Sequence, residues 1–457
     1  MRVSATLKVL MFWVFGASLA LHSFEATAQS HRFIELEVTT TADAGPGSLR
    51  WALEQARAED GPYRIHFGDR EGLFSTPQTI ELESPLPGIT GEVTIDGFIP
   101  RHLWTAYGAT VDAGGKHRLF EVKPGATVHL IGITVTGGYA PDGGAILNRG
   151  LLIVEGLTIL DNRAEQAGGG IANYGGEVFV INSTIAEGSA LRGGAIANLH
   201  GELTVTHATL YRNIAEAGAS IYSADALALA NSILWGPVDA EGGQCFNSGK
   251  LVLSTHNLFV DDSTGCGTPL LESDPKIGNF GYYNGPTPVF VIEGDSPALN
   301  LASTEAAVDH EGNRLRWDQR GNGDPRFAAG FADIGAFERQ SHLPGEYVVD
   351  TIEQTGLRGC TATGNANCPL RSAIELALAG RKPAPIRFDP LVFNEPQTLK
   401  LETLPENIDQ RPLEFDGEGA APLTIHVPGP ERDWIAKNGI TLQYDDKDRH
   451  VAGRSEP

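Results

Sequence analysis

GGAILN at residues 143–148, GGGIAN at 168–173 and GGAIAN at 193–198 are three versions of one six-residue unit, and GASIYS at 218–223 is a degenerate fourth. Their isoleucines, Ile146, Ile171, Ile196 and Ile221, recur at a constant interval of 25 residues. A fixed period of this size marks a chain built from stacked repeats. A second series runs in step, LTI at 157–159, STI at 183–185, ATL at 208–210 and SIL at 232–234. A third comprises LLIV at 151–154, VFV at 178–180, LTV at 203–205 and LAL at 227–229. Each repeat therefore holds three short β-prone segments separated by turns. That is too little chain for a pair of helices. It suits one coil of a parallel β-helix, in which each strand bonds to its counterpart about 4.8 Å away.

In such a stack, equivalent side chains lie over one another. The isoleucines predict a ladder in a dry interior. Asn148, Asn173 and Asn198 predict a polar column just beyond it, where amides can bond to one another and left-handed backbone is tolerated. The glycine pairs predict a tight corner with positive φ. The repeat thus reads as architecture. Earlier rungs are visible in VTIDG (93–97), ATVD (109–112) and LFEV (119–122), later ones in LVL (251–253) and HNLF (256–259). About ten coils are expected in all.

A solenoid must cover its open ends. GSLRWALEQA at 47–56 predicts a short capping helix, with Ser48 as N-cap and Leu49, Ala52, Leu53 and Ala56 on one face. A strand at 34–39 precedes it. The same order then returns. YVVD (347–350), LRSAI (370–374), IRF (386–388), PQTL (396–399) and LEFDG (413–417) repeat the N-terminal strand, the cap helix, IHF (65–67), PQTI (77–80) and VTIDG (93–97), displaced by about 320 residues.

The first residues read as an export leader. Arg2 and Lys8 supply charge, 9–21 is almost wholly apolar, and Ala26-Thr27-Ala28 is a small-x-small cleavage site, so the mature chain is expected to begin near Gln29. No other run approaches the length of a membrane span. The domain reading is a leader at 1–28, a β-helix at 29–340, a linker at 341–346 containing Pro344-Gly345, and the truncated start of a second β-helix at 347–457. That second stack shows no evident cap, and its polar tail from Asp445 reads as disordered. The four cysteines, Cys245, Cys266, Cys360 and Cys368, allow three pairings. Chain proximity favours Cys245 with Cys266 and Cys360 with Cys368, which export permits. Metal binding is the alternative, without a CxxC grouping to support it.

Asp and Glu number 57 against 34 Lys and Arg, and the formal charge of −23 repels nucleic acid and anionic lipid. Solubility is the plain reading of that charge, and a calcium requirement the sharper one. An active site on the coils would need a recognisable set of groups. A lyase would need carboxylates around Ca2+ and a basic residue on one exposed strand. A glycoside hydrolase would need carboxylates at a defined gap. Asp161, Glu187 and Arg212, on successive coils, form the best candidate cluster. Asp261-Asp262, in a loop beside Cys266, is the other candidate. Both also read as solvated turns. Asp309, Asp318, Asp324 and Asp333, with Arg320 and Arg326, crowd a glycine-rich stretch. They predict ion pairs that lock an irregular C-terminal cover, with a calcium site as the alternative. His129, His207 and His256 read as rim or turn residues. Trp51, Trp104, Trp235, Trp317, Tyr139, Tyr174, Tyr211, Tyr282 and Tyr283 offer faces for sugar stacking or for ordinary packing.

Residues 347–378, with Cys360 and CPLRSAI at 368–374, resemble the CSLREA domain of bacterial exported proteins, departing from it at Pro369 and Ser372. VTTTADAGPGSLR at 38–50 is similar to the same start, without cysteines. The GGAI-type rungs, with elements ending in Asn such as 159–162 and 210–213, resemble polymorphic outer-membrane-protein repeats. DQRG (318–321), DPR (324–326) and DIGAFE (333–338) resemble the choice-of-anchor Q domain, over about 297–338. Together the resemblances cover nearly the whole mature chain. They imply a right-handed parallel β-helix exported to the cell surface or beyond, and they say little about activity. The expectation is therefore an exported, monomeric, all-β protein, a right-handed parallel β-helix solenoid with a short N-terminal capping helix and an incomplete second start. Its expected role is a non-catalytic scaffold for adhesion, matrix contact or glycan binding, with a polysaccharide lyase or glycoside hydrolase as the alternative. No cofactor is expected beyond a possible Ca2+.

Overall fold

The computed structural model describes residues 33–57, 61–68, 73–98, 108–237, 239–260, 263–283, 285–321, 324–327, 331–339, 347–349, 351–352, 370–379, 385–390, 392–401, 413–429, 432 and 434–445. The leader at 1–28, the linker at 341–346, Trp104, Asp261, Asp262, Cys360 and Cys368 lie outside them.

The chain winds as a parallel β-solenoid. One sheet stacks Ile34–Val38, Pro62–Phe67, Glu92–Asp96, Thr127–Ile131, Leu151–Glu155, Ile171–Ile181, Ile196–Thr206, Ala226–Ala230 and Leu251–Thr255, each parallel to the next. A second sheet stacks Gln78–Glu81, Ala109–Asp112, Thr134–Thr136, Thr158–Leu160, Thr184–Ala186, Thr209–Tyr211 and Ile233–Trp235. Alternation decides which side chains turn inward. Val128, Leu152, Val178, Leu203 and Leu227 from the first sheet meet Val135, Ile159, Ile185, Leu210 and Leu234 from the second in one continuous core.

The six-residue repeat supplies the third wall. Ile146 pairs with Ile171, Ile171 with Ile196 and Ile196 with Ile221, and all four have no exposed surface. One coil further on, Cys245 takes the isoleucine's place opposite Ile221. It is disulfide-bonded to Cys266, with Cα atoms 6.2 Å apart, a normal bridging distance. Two residues beyond the isoleucines runs the asparagine column. The Nδ2 of Asn148 donates to Oδ1 of Asn173 at 2.9 Å, Asn173 donates to Asn198 at 2.9 Å, and Asn198 donates to the Ser223 hydroxyl at 3.2 Å. Leftover amide hydrogens reach carbonyls such as Gly176 O and Ala226 O. Each amide is thus satisfied though fully buried, which such burial requires.

These asparagines lie in strands. The left-handed positions fall elsewhere, in two columns of corners. Gly132, Gly156, Asn182, His207, Asn231 and His256 form one, and Gly137, Asp161, Glu187 and Arg212 the other, with φ between 46° and 64°. The corner is set by the stack, and non-glycine residues occupy it at a cost of roughly 1–2 kcal/mol each.

Leu49–Gln55 is the expected helix, and the Ser48 hydroxyl accepts from Trp51 N at 3.1 Å. Leu49, Ala52 and Leu53 pack into the same core as the first coils. A second parallel stack comprises Tyr347–Val349, Ile386–Phe388, Glu414–Asp416 and Ile435–Lys437, beside Gln397–Lys400, Leu423–Pro428 and Ile440–Asp445. Leu370–Ala379 is its helix, with Leu370, Ala373, Ile374 and Ala377 buried among Tyr347, Phe388 and Phe415. The nine rungs of the first stack and four of the second make thirteen among the described residues, more than the ten or so expected in all.

The described residues between 285 and 339 do not coil. They form a strap laid lengthwise on the flank, over the outward side of the second sheet. Outward residues there are threonines and an isoleucine, Thr158, Thr184, Thr209 and Ile233, all buried beneath it. Gln319 is the central tie. Its amide donates to Leu157 O at 3.1 Å and the Thr158 hydroxyl at 2.9 Å, and its carbonyl accepts from the Thr184 hydroxyl at 2.6 Å. Ala336 N donates to Thr209 Oγ1 at 3.0 Å, and Asn231 exchanges hydrogen bonds with Ser303.

Candidate functional site

Asp161, Glu187 and Arg212 occupy equivalent corners on consecutive coils. Asp161 N donates to Ala186 O, Glu187 N to Tyr211 O and Arg212 N to Trp235 O. All three side chains are exposed. The three thus form a column, and each stands at a left-handed corner with φ of 51°, 57° and 54°. Arg212 lies on the ring of Tyr211, 4.8 Å from its centre, and Tyr211 itself packs edge-on against Phe290 of the strap.

The acidic stretch forms a buried lock. Arg320 bridges Asp318 at 2.7 Å and Asp324 at 2.8 Å, and its guanidinium lies 4.2 Å from the ring centre of Phe337. Asp318 also accepts from Glu338 N at 2.7 Å. Arg326, fully buried, reaches Glu338 at 3.6 Å, Asn182 Oδ1 at 3.0 Å and Gly335 O at 3.1 Å. Asp333 accepts from Asn300 N and Arg339 N, both at 2.7 Å. Burial pushes the Asp333 carboxyl up to about 6, and burial followed by the charge of Asp333 holds Glu338 well above the usual carboxylate range. His207 sits against the same lock with no exposed surface, and burial, then Arg326, pulls its imidazole well below the ordinary value. Asp309 stands apart, accepting the amides of Glu311 and Asn313 in its own turn. Among the described residues no three His, Cys, Asp or Glu side chains group so as to hold a metal ion. Asp318, Asp324 and Asp333 instead direct their oxygens at guanidinium and backbone N–H groups.

A third constellation joins aromatic rings to an uncommitted charge. Residues Arg163–Ala167 pair with Tyr139–Asp142, and this wing continues along the coils through Arg192, Ala217 and Glu241. The first glycine of each repeat folds the wing back onto the outer side of the isoleucine strand. A Cβ at Gly168 would lie 2.1 Å from Ile171 O, and one at Gly193 2.1 Å from Ile196 O, so only glycine fits. Ala167 of the wing packs with Ala197, Leu199, Tyr174 and Tyr222. In register with Ala172 and Ala197 come Tyr222 and Phe246, whose rings stack with centroids 5.3 Å apart and planes 5° apart.

Arg192 lies over the Tyr222 ring, 5.5 Å from its centre. Register puts Arg192 on the coil before Tyr222 and Phe246 on the coil after, so the tyrosine ring stands between them. Tyr174 lies on the same face, with Arg149 at 5.9 Å from its ring centre. Arg149 is bound to Glu121 at 2.9 Å. Burial raises the Tyr174 phenol, and the neighbouring Asp142 carboxylate raises it further. Arg192 differs from these. Its guanidinium has no hydrogen-bond or ion-pair partner among the described residues.

Of this face, sequence reasoning found Tyr174 and missed Asp142, Arg149, Arg192, Tyr222 and Phe246. The available signal was the fourth repeat, GASIYS, where tyrosine stands at the outward position that alanine holds in the two copies before it. Of the other aromatic candidates, Trp317 is exposed and Arg163 lies 6.0 Å from the ring centre of Tyr139. Trp51 packs on the main core, and Trp235 and Tyr283 pack beneath the strap. The Tyr139 hydroxyl donates to Glu165 at 2.7 Å. His129 bonds Glu155 at 3.1 Å and abuts His310 of the strap.

No family model matches this sequence, and no curated protein matches it. Fold and site geometry therefore carry the functional reading, within the class of parallel β-solenoid proteins.

Proposed function

We propose that this protein is an exported, monomeric scaffold that contacts glycans or extracellular matrix through the wing face of its solenoid, without turning its ligand over. The observation that carries the reading is the Arg192–Tyr222–Phe246 row, an aromatic and guanidinium array at coil spacing on a rigid support. A forked guanidinium held in place by aromatic rings is a donor array that surface recognition uses. Asp161 and Glu187, the carboxylates nearest to a catalytic pair, point to solvent at left-handed corners.

Export is supported by the leader pattern, by the Cys245–Cys266 disulfide and by the absence, among the described residues, of any helix long and apolar enough to cross a membrane. The likeness to choice-of-anchor Q, CSLREA and polymorphic outer-membrane-protein repeats supports the same placement. The winding is proposed as right-handed, the hand that parallel crossovers take.

The test is a polysaccharide panel presented to the mature chain, with and without Ca2+. Retention is followed beside unsaturated-uronate absorbance and new reducing ends. Retention without turnover is expected. Turnover on any polymer would replace the scaffold reading with a lyase or hydrolase and direct mutagenesis to Asp161, Glu187 and Arg212. Failure of every polymer to be retained would overturn the glycan reading.

A further inference from the structure

We propose that the wing face selects glycans carrying isolated carboxylates, an acid sugar set among neutral ones, and that Arg192 is the residue that reads the acid. This rests on the glycan-contact reading above and deepens it.

Arg192 is held ready. Its backbone is pinned to the preceding coil by two bonds, its N–H donating to Gln166 O at 2.9 Å and its carbonyl accepting from Gly168 N at 2.9 Å. The Tyr222 ring supports the guanidinium, and Phe246 supports Tyr222. The fork remains half-exposed and makes no hydrogen bond or ion pair among the described residues, as with Arg163 over Tyr139 and Arg212 over Tyr211, whereas Arg118, Arg149, Arg320 and Arg326 are all engaged. A planar guanidinium with free donors matches a planar carboxylate through two parallel bonds. Pre-ordering on an aromatic ring lowers the entropy lost on binding.

The neighbours on the wing define the spacing. Ala167 and Ala217 flank Arg192 directly, while Asp142 lies beyond Ala167 and Glu241 beyond Ala217. Each acid is thus two coil steps from the arginine, about 10 Å at the strand spacing of ~4.8 Å. One cationic point lies between two anionic ones along the solenoid axis. A polymer bearing a carboxylate on every sugar would place charges against Asp142 and Glu241. A polymer with one acid among neutral sugars meets attraction at Arg192 and no repulsion on either side. The flanking acids thus supply selectivity by excluding the wrong ligand. The ring faces of Tyr222 are taken by Arg192 and Phe246, so the aromatic row positions the fork and does not itself stack on sugar.

Affinity is measured for the mature chain and for R192Q and R192K, against neutral xylan, glucuronoxylan, carboxyl-reduced glucuronoxylan, polygalacturonate and poly-L-glutamate. Thermal melting confirms that the variants fold. The parent is expected to prefer glucuronoxylan over its carboxyl-reduced form and over polygalacturonate. R192Q should lose roughly tenfold on glucuronoxylan alone, the loss of one charge-assisted pair. R192K should fall between them, keeping the charge without the fork. Equal binding of glucuronoxylan by R192Q and the parent would overturn the assignment. So would equal binding of the native and carboxyl-reduced polymers, and in that case the scaffold reading would stand. Polygalacturonate binding as tightly as glucuronoxylan would overturn the spacing argument. Poly-L-glutamate binding as tightly, with the same loss in R192Q, would overturn the saccharide assignment in favour of an acidic peptide. Loss of retention across the whole panel would sink the glycan reading and this inference together.

Discussion

The coil and the strap solve opposite problems with the same chain. In the coil, the ladder residues meet their own kind one turn away. Isoleucine packs on isoleucine, asparagine bonds to asparagine, and the polar column closes on itself at 2.9 Å per step. In the strap nothing repeats, and the buried surface is fastened by unlike partners. Gln319 bonds to threonines from two coils, and Arg326 is inserted between Asn182 and Glu338. A stack spreads its stability over many near-equal interfaces. A strap concentrates it in a few charges that only hold while they stay paired.

The largest effect should come from charging the ladder. Ile171→Asp or Ile196→Asp places an unpaired carboxylate where no water reaches, at a cost of several kcal/mol, roughly. Loss of the cooperative melt and of far-ultraviolet β signal is expected. A variant melting like the parent would refute the ladder. Arg326→Ala should come next. It leaves Glu338 buried without its cation and Asn182 without its donor, and removal of one partner of a buried pair costs about 3–5 kcal/mol. Denaturant titration would read it. Because the strap lies on the flank of a core that is complete without it, the variant should show an early transition confined to the strap, seen as exchange of the amides of 331–339 before those of the coils. Simultaneous loss of both would show that strap and coil are one cooperative unit.

The same contrast explains what could be read from the sequence. Coil, register, interior ladder, asparagine column and N-cap at Ser48 were legible because a period makes each residue a statement about its neighbour one turn away. The second stack was legible by repetition of the first. Pairing within the DQRG and DPR stretch could be anticipated from charge density alone, since buried charges must be paired. Its position could not. The threonines at 158, 184 and 209 look like ordinary strand residues, and nothing local says that Gln319 bonds to the first two of them. Arg192 escaped for a related reason. Its meaning comes from Tyr222 on the next coil and from the alanines beside it, a pattern visible only once the wing is folded back at Gly168 and Gly193. The asparagines were expected to tolerate left-handed backbone, but that task falls to other columns, because the strand continues through Asn173 and Asn198.

His207 links coil to strap, and its titration sharpens the comparison. Its imidazole is buried beside Arg326 and the backbone of Asp333 and Gly335, with its affinity for protons depressed by burial. The folded state therefore binds fewer protons than the unfolded state below the unfolded value near 6.5, and stability is lost as pH falls through that value. Asp333 has the opposite sign. Its raised carboxyl, at about 6, gains protons on folding, so its contribution grows as pH falls from 6 towards the unfolded value near 4. His207→Asn isolates the first term, and asparagine already occupies the same corner at Asn182 and Asn231. The stability difference between H207N and parent should widen in favour of the variant below pH 6.5, by up to about 1.4 kcal/mol per pH unit. Parallel pH profiles for the two proteins would show that His207 does not titrate against the lock.

The smallest expected effect tests the corners on which the catalytic candidates sit. Glu187 holds φ at 57° on the exposed column that begins with Gly137. Glycine at this position relieves backbone strain of roughly 1–2 kcal/mol, while its freedom in the unfolded chain takes back about 0.5–1 kcal/mol. Glu187→Gly should therefore be neutral or stabilising by up to about 1.5 kcal/mol, although it deletes a carboxylate from the candidate active face. Glu187→Ala separates the two roles, since it removes the carboxylate and keeps the strain. If both variants retain the parent's glycan retention, and only the glycine variant gains stability, Glu187 is a corner residue. A loss of stability in E187G would mean that its side chain contributes more to the column than the left-handed backbone costs, and the polar face would have to be reconsidered as a functional surface.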